Sequence, residues 1–244
     1  MFHKSFRKAV LLSAATIAAT AMLPASASAA TFLLTSGGNS DGSIGNVRTY
    51  TGSDGTKLEV TAYSLNDTTL SKAAVGAYTP GLGVLNGPND DSHTVDNNGY
   101  TDILVFQFDK MVTVDKIGLV SFGDTDINYA IGSTNVAFNS TFTIANYSTF
   151  TSLFGTSIYS SGNGQDQNRD INPNNLSGNL FYVAAAFNDR QSNDSFKVNG
   201  ITYAVTQTSA PVPEPATWGM MICGLAVTGY AMRRRKTNAT ISFA

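Results

Sequence analysis

Between Ala30 and Ala210 no window of about 12 residues keeps helical spacing without meeting a turn former, because Asn, Gly, Ser and Thr recur throughout. A helix of ordinary length needs such a window, so a helical bundle is excluded. Runs of strand length recur instead: Asn46–Thr51, Thr56–Ser64, Ala73–Tyr78, Asp102–Asp109, Val112–Val120, Ile127–Ile131, Val136–Ile144, Leu180–Phe187 and Phe196–Thr206. Turn formers such as Ser53-Asp54-Gly55, Asn98-Gly99, Gly123-Asp124 and Asn199-Gly200 separate them. Many short strands at this spacing predict an all-β fold, a single antiparallel β-sandwich of jelly-roll type spanning residues 30–210. Leu58, Val60 and Ala62 alternate with Lys57, Glu59 and Thr61, the pattern of a strand with one wet face. Ile103-Leu104-Val105-Phe106 lacks that alternation and predicts a central strand buried on both faces. One short helix is expected within Tyr147–Tyr159.

Charge divides the chain in the same places. Seven of the 15 Lys and Arg lie in the termini, as Lys4, Arg7 and Lys8 and the run Arg233–Lys236, whereas 16 of the 17 acidic residues fall between residues 30 and 210. The central region therefore carries a formal charge of −8 within a chain at −2. A body of that sign repels polyanions, which excludes nucleic acid as a partner. The single cysteine, Cys223, lies outside the body, which can form no disulfide, cysteine zinc site or thiol nucleophile.

The two ends read as addresses. Lys4, Arg7 and Lys8 precede an uncharged run from Ala9 to Leu23, and Pro24 leads into Ala27-Ser28-Ala29. This is the layout of a signal peptide over residues 1–29, cut by signal peptidase at the site marked by Ala27 and Ala29. The apolar run reaches only about 22 Å as a helix, short of a ~30 Å bilayer core. At the other end Pro211-Val212-Pro213-Glu214-Pro215 forms a stiff spacer. Residues 216–232 carry no charge and lie at the lower length limit for a transmembrane helix. Trp218 stands at its outer end and Arg233, Arg234, Arg235 and Lys236 at its inner end, the order expected for a body outside the membrane; residues 237–244 follow as a cytoplasmic tail.

The order Pro213-Glu214-Pro215, Trp218, an apolar helix and Arg233-Arg234-Arg235 resembles the PEP-CTERM sorting signal of Gram-negative bacteria, in the variant with Trp after the motif. The same segment is also called the ice-binding protein C-terminal domain. The resemblance implies that residues 211–236 are recognised by an exosortase, which removes the helix and basic tail. It also implies export through the inner membrane, transient anchoring there, and a final place at the cell surface or outside the cell. Within the body, Gly81-Leu82-Gly83-Val84, His93-Thr94-Val95-Asp96-Asn97 and Asp102-Ile103-Leu104-Val105-Phe106 resemble, in the same order, elements of exosortase-dependent surface proteins. That resemblance implies a compact extracellular β-domain and makes His93, Asp96 and Asn97 a domain motif.

Little in the body suggests chemistry. His93 is the only histidine of the mature body and no G-x-S-x-G elbow is present, so His93 is expected to serve a loop rather than a reaction. Asp124-x-Asp126-x-Asn128 sets oxygen ligands at alternate positions, and Asp166-x-Asn168-x-Asp170 repeats the spacing. Such residues suit calcium, although neither run is an EF-hand, and they also suit turns that end strands. The sequence thus predicts a non-catalytic surface or extracellular-matrix protein associated with exopolysaccharide. A calcium-assisted carbohydrate-binding module, with tyrosines such as Tyr50, Tyr63, Tyr78, Tyr100 and Tyr159 against sugar, and a glycoside or ester hydrolase are the alternatives.

Overall fold

The computed structural model describes residues 28–87, 90–139, 142–187, 193–206 and 215–233. One compact unit covers Ala27–Gln207, and the C-terminal helix belongs to a second. The first contains β1 (Ala30–Leu33), β2 (Arg48–Thr51), β3 (Lys57–Asn66), β4 (Thr69–Tyr78), β5 (Gly81–Leu85), β6 (Val95–Asp96), β7 (Thr101–Ser121), β8 (Ile127–Gly132), α1 (Tyr147–Phe154), β9 (Ile158–Ser160), β10 (Gln167–Asp170), β11 (Ser177–Ala185) and β12 (Ser195–Val205). The described part of the second is α2 (Pro215–Arg233).

The body is all-β apart from α1, and every pairing between its named strands is antiparallel. Short loops set this up. Asp67, in the left-handed region at φ 51°, turns β3 into β4, and Thr79-Pro80 turns β4 into β5.

The expected sandwich of two separate sheets is not what the hydrogen bonds draw: the strands form one 12-stranded sheet. The cause is β7. Its first half, up to Phe108, pairs with β3 and with β11; from Val112 onward it pairs with β12 and β10, while β11 follows it past a bulge as far as Thr113. Since β12 also reaches β5, the strands β12, β5, β4, β3 and β7 close a hydrogen-bonded circuit. The two strands expected on either side of Lys110-Met111 are therefore one 21-residue strand that changes neighbours there.

Two buried clusters follow from the period of two. Leu104, Phe106 and Phe108 on β7 join Leu58 and Val60 on β3, Phe181 and Val183 on β11 and Val198 and Ile201 on β12 in the larger one. The opposite face presents Ile103, Val105, Tyr63, Leu180 and Tyr182, which are covered by Ile144 and by Phe150 and Phe154 of α1. Ile103 to Phe106 is thus buried on both faces, as its lack of alternation predicted. The helix starts at the Asn146 cap, whose side chain accepts from Thr149 N at 2.8 Å. Among the described residues, Val136–Ile144 is not a strand: Ile144 faces inward because this segment lies over the sheet as a cover.

Candidate functional site

The loop between β5 and β7 carries the domain motif. His93 adopts φ 51°, and its Nδ1 lies 2.9 Å from the Tyr78 hydroxyl and 3.3 Å from Asp41 Oδ1. The His93 carbonyl oxygen accepts from Lys197 Nζ, and the same ammonium sits 4.0 Å above the Tyr78 ring. Burial of Lys197 lowers its pKa to about 8, against the opposing pull of Asp90, Asp41 and Asp96. The glycines before this loop have a steric reason: a Cβ on Gly83 would overlap the His93 carbonyl.

Asp96 and Asn97 hold the rest of the loop. Asp96 accepts from Ser92 Oγ at 2.6 Å, Thr94 Oγ1 at 3.0 Å and Asn98 N at 3.1 Å. Asn97 donates to Asp194 Oδ2 at 2.7 Å and accepts from Asp194 N at 3.1 Å, tying the loop to the chain just before β12. Behind it, Asp102 accepts from Asn86 Nδ2 at 3.1 Å, and burial, with the charge of Asp96 added, holds its carboxyl well above the usual range. His93 and Asp96 thus have separate partners.

The carboxylates assigned to calcium regroup. Asp124 and Asp126 are joined by Asp194, each bringing one oxygen to within 4.8 Å of the others. Asn128 lies inside β8, where its Oδ1 accepts from Phe187 N at 2.7 Å and its Nδ2 donates to Ser157 at 2.9 Å. An all-oxygen set of this kind suits a hard cation. Positive charge is already beside it: Arg169, buried, donates to Thr125 Oγ1, Gln167 Oε1 and the Ser160 carbonyl and is attracted by Asp126 and Asp124. Asp126 also accepts from the Tyr159 hydroxyl at 2.5 Å and from Gly162 N. The second run, Asp166-x-Asn168-x-Asp170, is strand β10 and its flank: Asp166 accepts from Ser121 N at 2.8 Å and Asp170 pairs with Lys116. Of the five tyrosines expected against sugar, Tyr63 and Tyr78 are buried, and Tyr100 and Tyr159 are exposed.

At the C-terminal end, Pro213, Glu214, Arg234 and Arg235 lie outside the described residues, as does Ala27 of the signal-peptide site, while Ala29 is exposed just ahead of β1. Helix α2 begins at Pro215, carries exposed Trp218 in its first turn and ends at Arg233. No described helix is long and apolar enough to cross a membrane. In α2 the apolar run expected to span is diluted by Thr217, Gly219, Gly224, Thr228 and Gly229, and its 19 residues reach about 28 Å. Residues 211–236 match the PEP-CTERM protein-sorting motif. The PEP-CTERM match places the family resemblance of the C-terminal end on firm ground and implies recognition by an exosortase. No curated protein and no solved structure matches the chain.

Lys197, Asp194 and Arg169 escaped sequence reading because each has a partner far along the chain: His93 for Lys197, Asn97 for Asp194 and Thr125 for Arg169. Asp102 carried a signal: an Asp directly ahead of four apolar residues enters the core with them.

Proposed function

We propose that this is an exported surface protein, processed by an exosortase at Pro213–Pro215, whose β-domain serves as a non-catalytic component of an exopolysaccharide-associated surface or matrix. The observation that carries the reading is the PEP-CTERM motif over residues 211–236, which takes in a helix that begins at Pro215 and reaches the basic run at Arg233. Helix α2 serves as a transient hold at the inner membrane, with Arg233–Lys236 on the cytoplasmic side, and the exposed Ala29 is where signal peptidase cuts. The engagement of His93 with Tyr78 and Asp41, and of Asp96 with Ser92, Thr94 and Asn98, supports a structural role for these side chains over a hydrolytic one.

Mass spectrometry of the mature protein tests the reading. The expected mature chain starts at Ala30 and lacks everything beyond the Pro213–Pro215 region, and deletion of residues 213–215 leaves the helix attached in the membrane fraction. A C-terminus unchanged by that deletion refutes exosortase sorting.

A further inference from the structure

An asparagine followed by glycine is prone to lose its side-chain amide, because glycine has no side chain to shield its backbone nitrogen from the asparagine carbonyl carbon. The chain has four such pairs: Asn86-Gly87, Asn98-Gly99, Asn163-Gly164 and Asn199-Gly200. Attack needs an asparagine side chain free to swing onto the next nitrogen, a nitrogen not engaged elsewhere, and water at hand. The fold grants these to the four pairs unequally.

Three of them are held. Asn86 is half-buried, its Nδ2 donates to Asp102 Oδ1 at 3.1 Å and its N–H to Asp90 Oδ2 at 3.0 Å. Asn163 Oδ1 accepts from Gln167 Nε2, and the Gly164 carbonyl accepts from Ser121 Oγ at 2.9 Å. Asn199-Gly200 lies inside β12, where Gly200 stands opposite Leu33 of β1 and Gly118 of β7 and the Asn199 carbonyl accepts from Leu34 N at 2.9 Å.

Asn98-Gly99 is different. It lies in the turn between β6 and β7, with both residues exposed and Gly99 at φ 90°. Among the described residues, neither the Asn98 side chain nor the Gly99 N–H makes a hydrogen bond; only the Asn98 N–H is engaged, by Asp96 Oδ1 at 3.1 Å. Nothing lies within 4 Å of the place a Gly99 Cβ would occupy. Asn97, one residue earlier, is fixed to Asp194, so the freedom begins at Asn98.

We infer that Asn98 is a site of spontaneous modification in the folded protein, converted to an acid by its own backbone. The Gly99 nitrogen bonds to Asn98 Cγ, the Cγ–Nδ2 bond breaks, and ammonia leaves with the proton of the Gly99 N–H. Water then opens the five-membered imide at either carbonyl, giving aspartate or its β-linked isomer. Both products add one negative charge beside a hollow of about 570 Å³ that Asp90, Asp91 and Asp96 already line. The loop thereby gains charge with age and does not give it back. The inference is independent of the sorting signal, since it rests on the body alone.

Ageing of the purified full-length chain, kept in a non-ionic detergent in mildly alkaline buffer with and without urea, tests it. Samples are read by anion exchange and by tandem mass spectrometry. Without urea, the mass gain of amide-to-acid conversion is expected at Asn98 at least about tenfold faster than at Asn86, Asn163 or Asn199, and in urea the four rates should converge. A more acidic species should accumulate with time, elute with Asn98→Asp, and be lost in Asn98→Gln, whose longer side chain closes a ring far more slowly. Conversion led by any of the other three asparagines in the folded chain, or an acidic species undiminished in Asn98→Gln, overturns the inference. So does an Asn98 that converts only in urea, since the turn would then be locked.

Discussion

Asp102 is fully buried at the head of the longest strand, with Asp96 and Asp90 adding to the cost of ionising it. An acid whose folded pKa is raised holds its proton while the unfolded chain, ionising near pH ~4, has lost its own. Its contribution to stability is complete below that pH and is lost as pH rises through the folded value. Lys197 runs the other way. Its pKa of about 8 lies below the ~10.4 of an unfolded lysine, so the native state loses its proton first and stability gains as pH rises through that interval. Chemical denaturation across pH should therefore show Asp102→Asn more stable than the parent at pH 8 and level with it near pH 4. In Lys197→Met the gain above pH 8 should vanish. A parent-like pH profile in both variants contradicts these assignments. The partners of His93 were not legible in the sequence: Asp41 and Lys197 are 52 and 104 positions away in a chain whose pairing was still unknown.

At the scale of elements, the longest runs were readable and the shortest were not. Strands β3, β4, β8, β11 and β12 and helix α1 lie where alternation and turn formers put them, because each buries a face of several residues. Strands β6, β9 and β10 are two to four residues long and carry Asn, Asp, Ser and Gln, so their pairing comes from neighbours already in place rather than from their own pattern. In β10 this has an energetic side. Arg169 points inward from that strand and supplies positive charge beside Asp124 and Asp126, which stand with Asp194 ahead of β8 and β12. Arg169→Met should lower stability by about 1–3 kcal/mol, since it removes hydrogen bonds made by a charged group and leaves the carboxylates facing one another. Millimolar calcium should then restore part of the lost melting temperature in this variant, an ion taking over the charge that Arg169 supplied, while magnesium, bound to its own water, restores less. A variant that melts like the parent would remove Arg169 as the counter-charge.

For the molecule as a whole, the all-β class and the C-terminal sorting motif were readable from composition, turn chemistry and residue order, but the closed strand circuit was not. It depends on β7 changing neighbours at Lys110-Met111, a break in apolar pattern that reads equally well as the end of a strand. The circuit also leaves β1 paired along its length to β12, with Phe32 stacked 4.7 Å from Tyr203. Phe32→Ala should cost about 3–5 kcal/mol in urea denaturation, since it empties a fully packed aromatic site and loosens that pairing. A loss under 1 kcal/mol would show β1 to be a passenger on the body.

The β1–β12 pairing also sets an order of events. The strands β1 and β12, the first and last of the described body, are each other's neighbours, so a chain exported N-terminus first, as proposed above, presents β1 about 160 residues before its partner. Until Ser195–Val205 has passed, the exported chain has neither its edge nor the second half of β7 paired with β12, and it must wait as an incomplete sheet. Folding thus finishes as the sorting segment itself arrives. A chain truncated ahead of β12 lacks both the partner of β1 and residues 211–236.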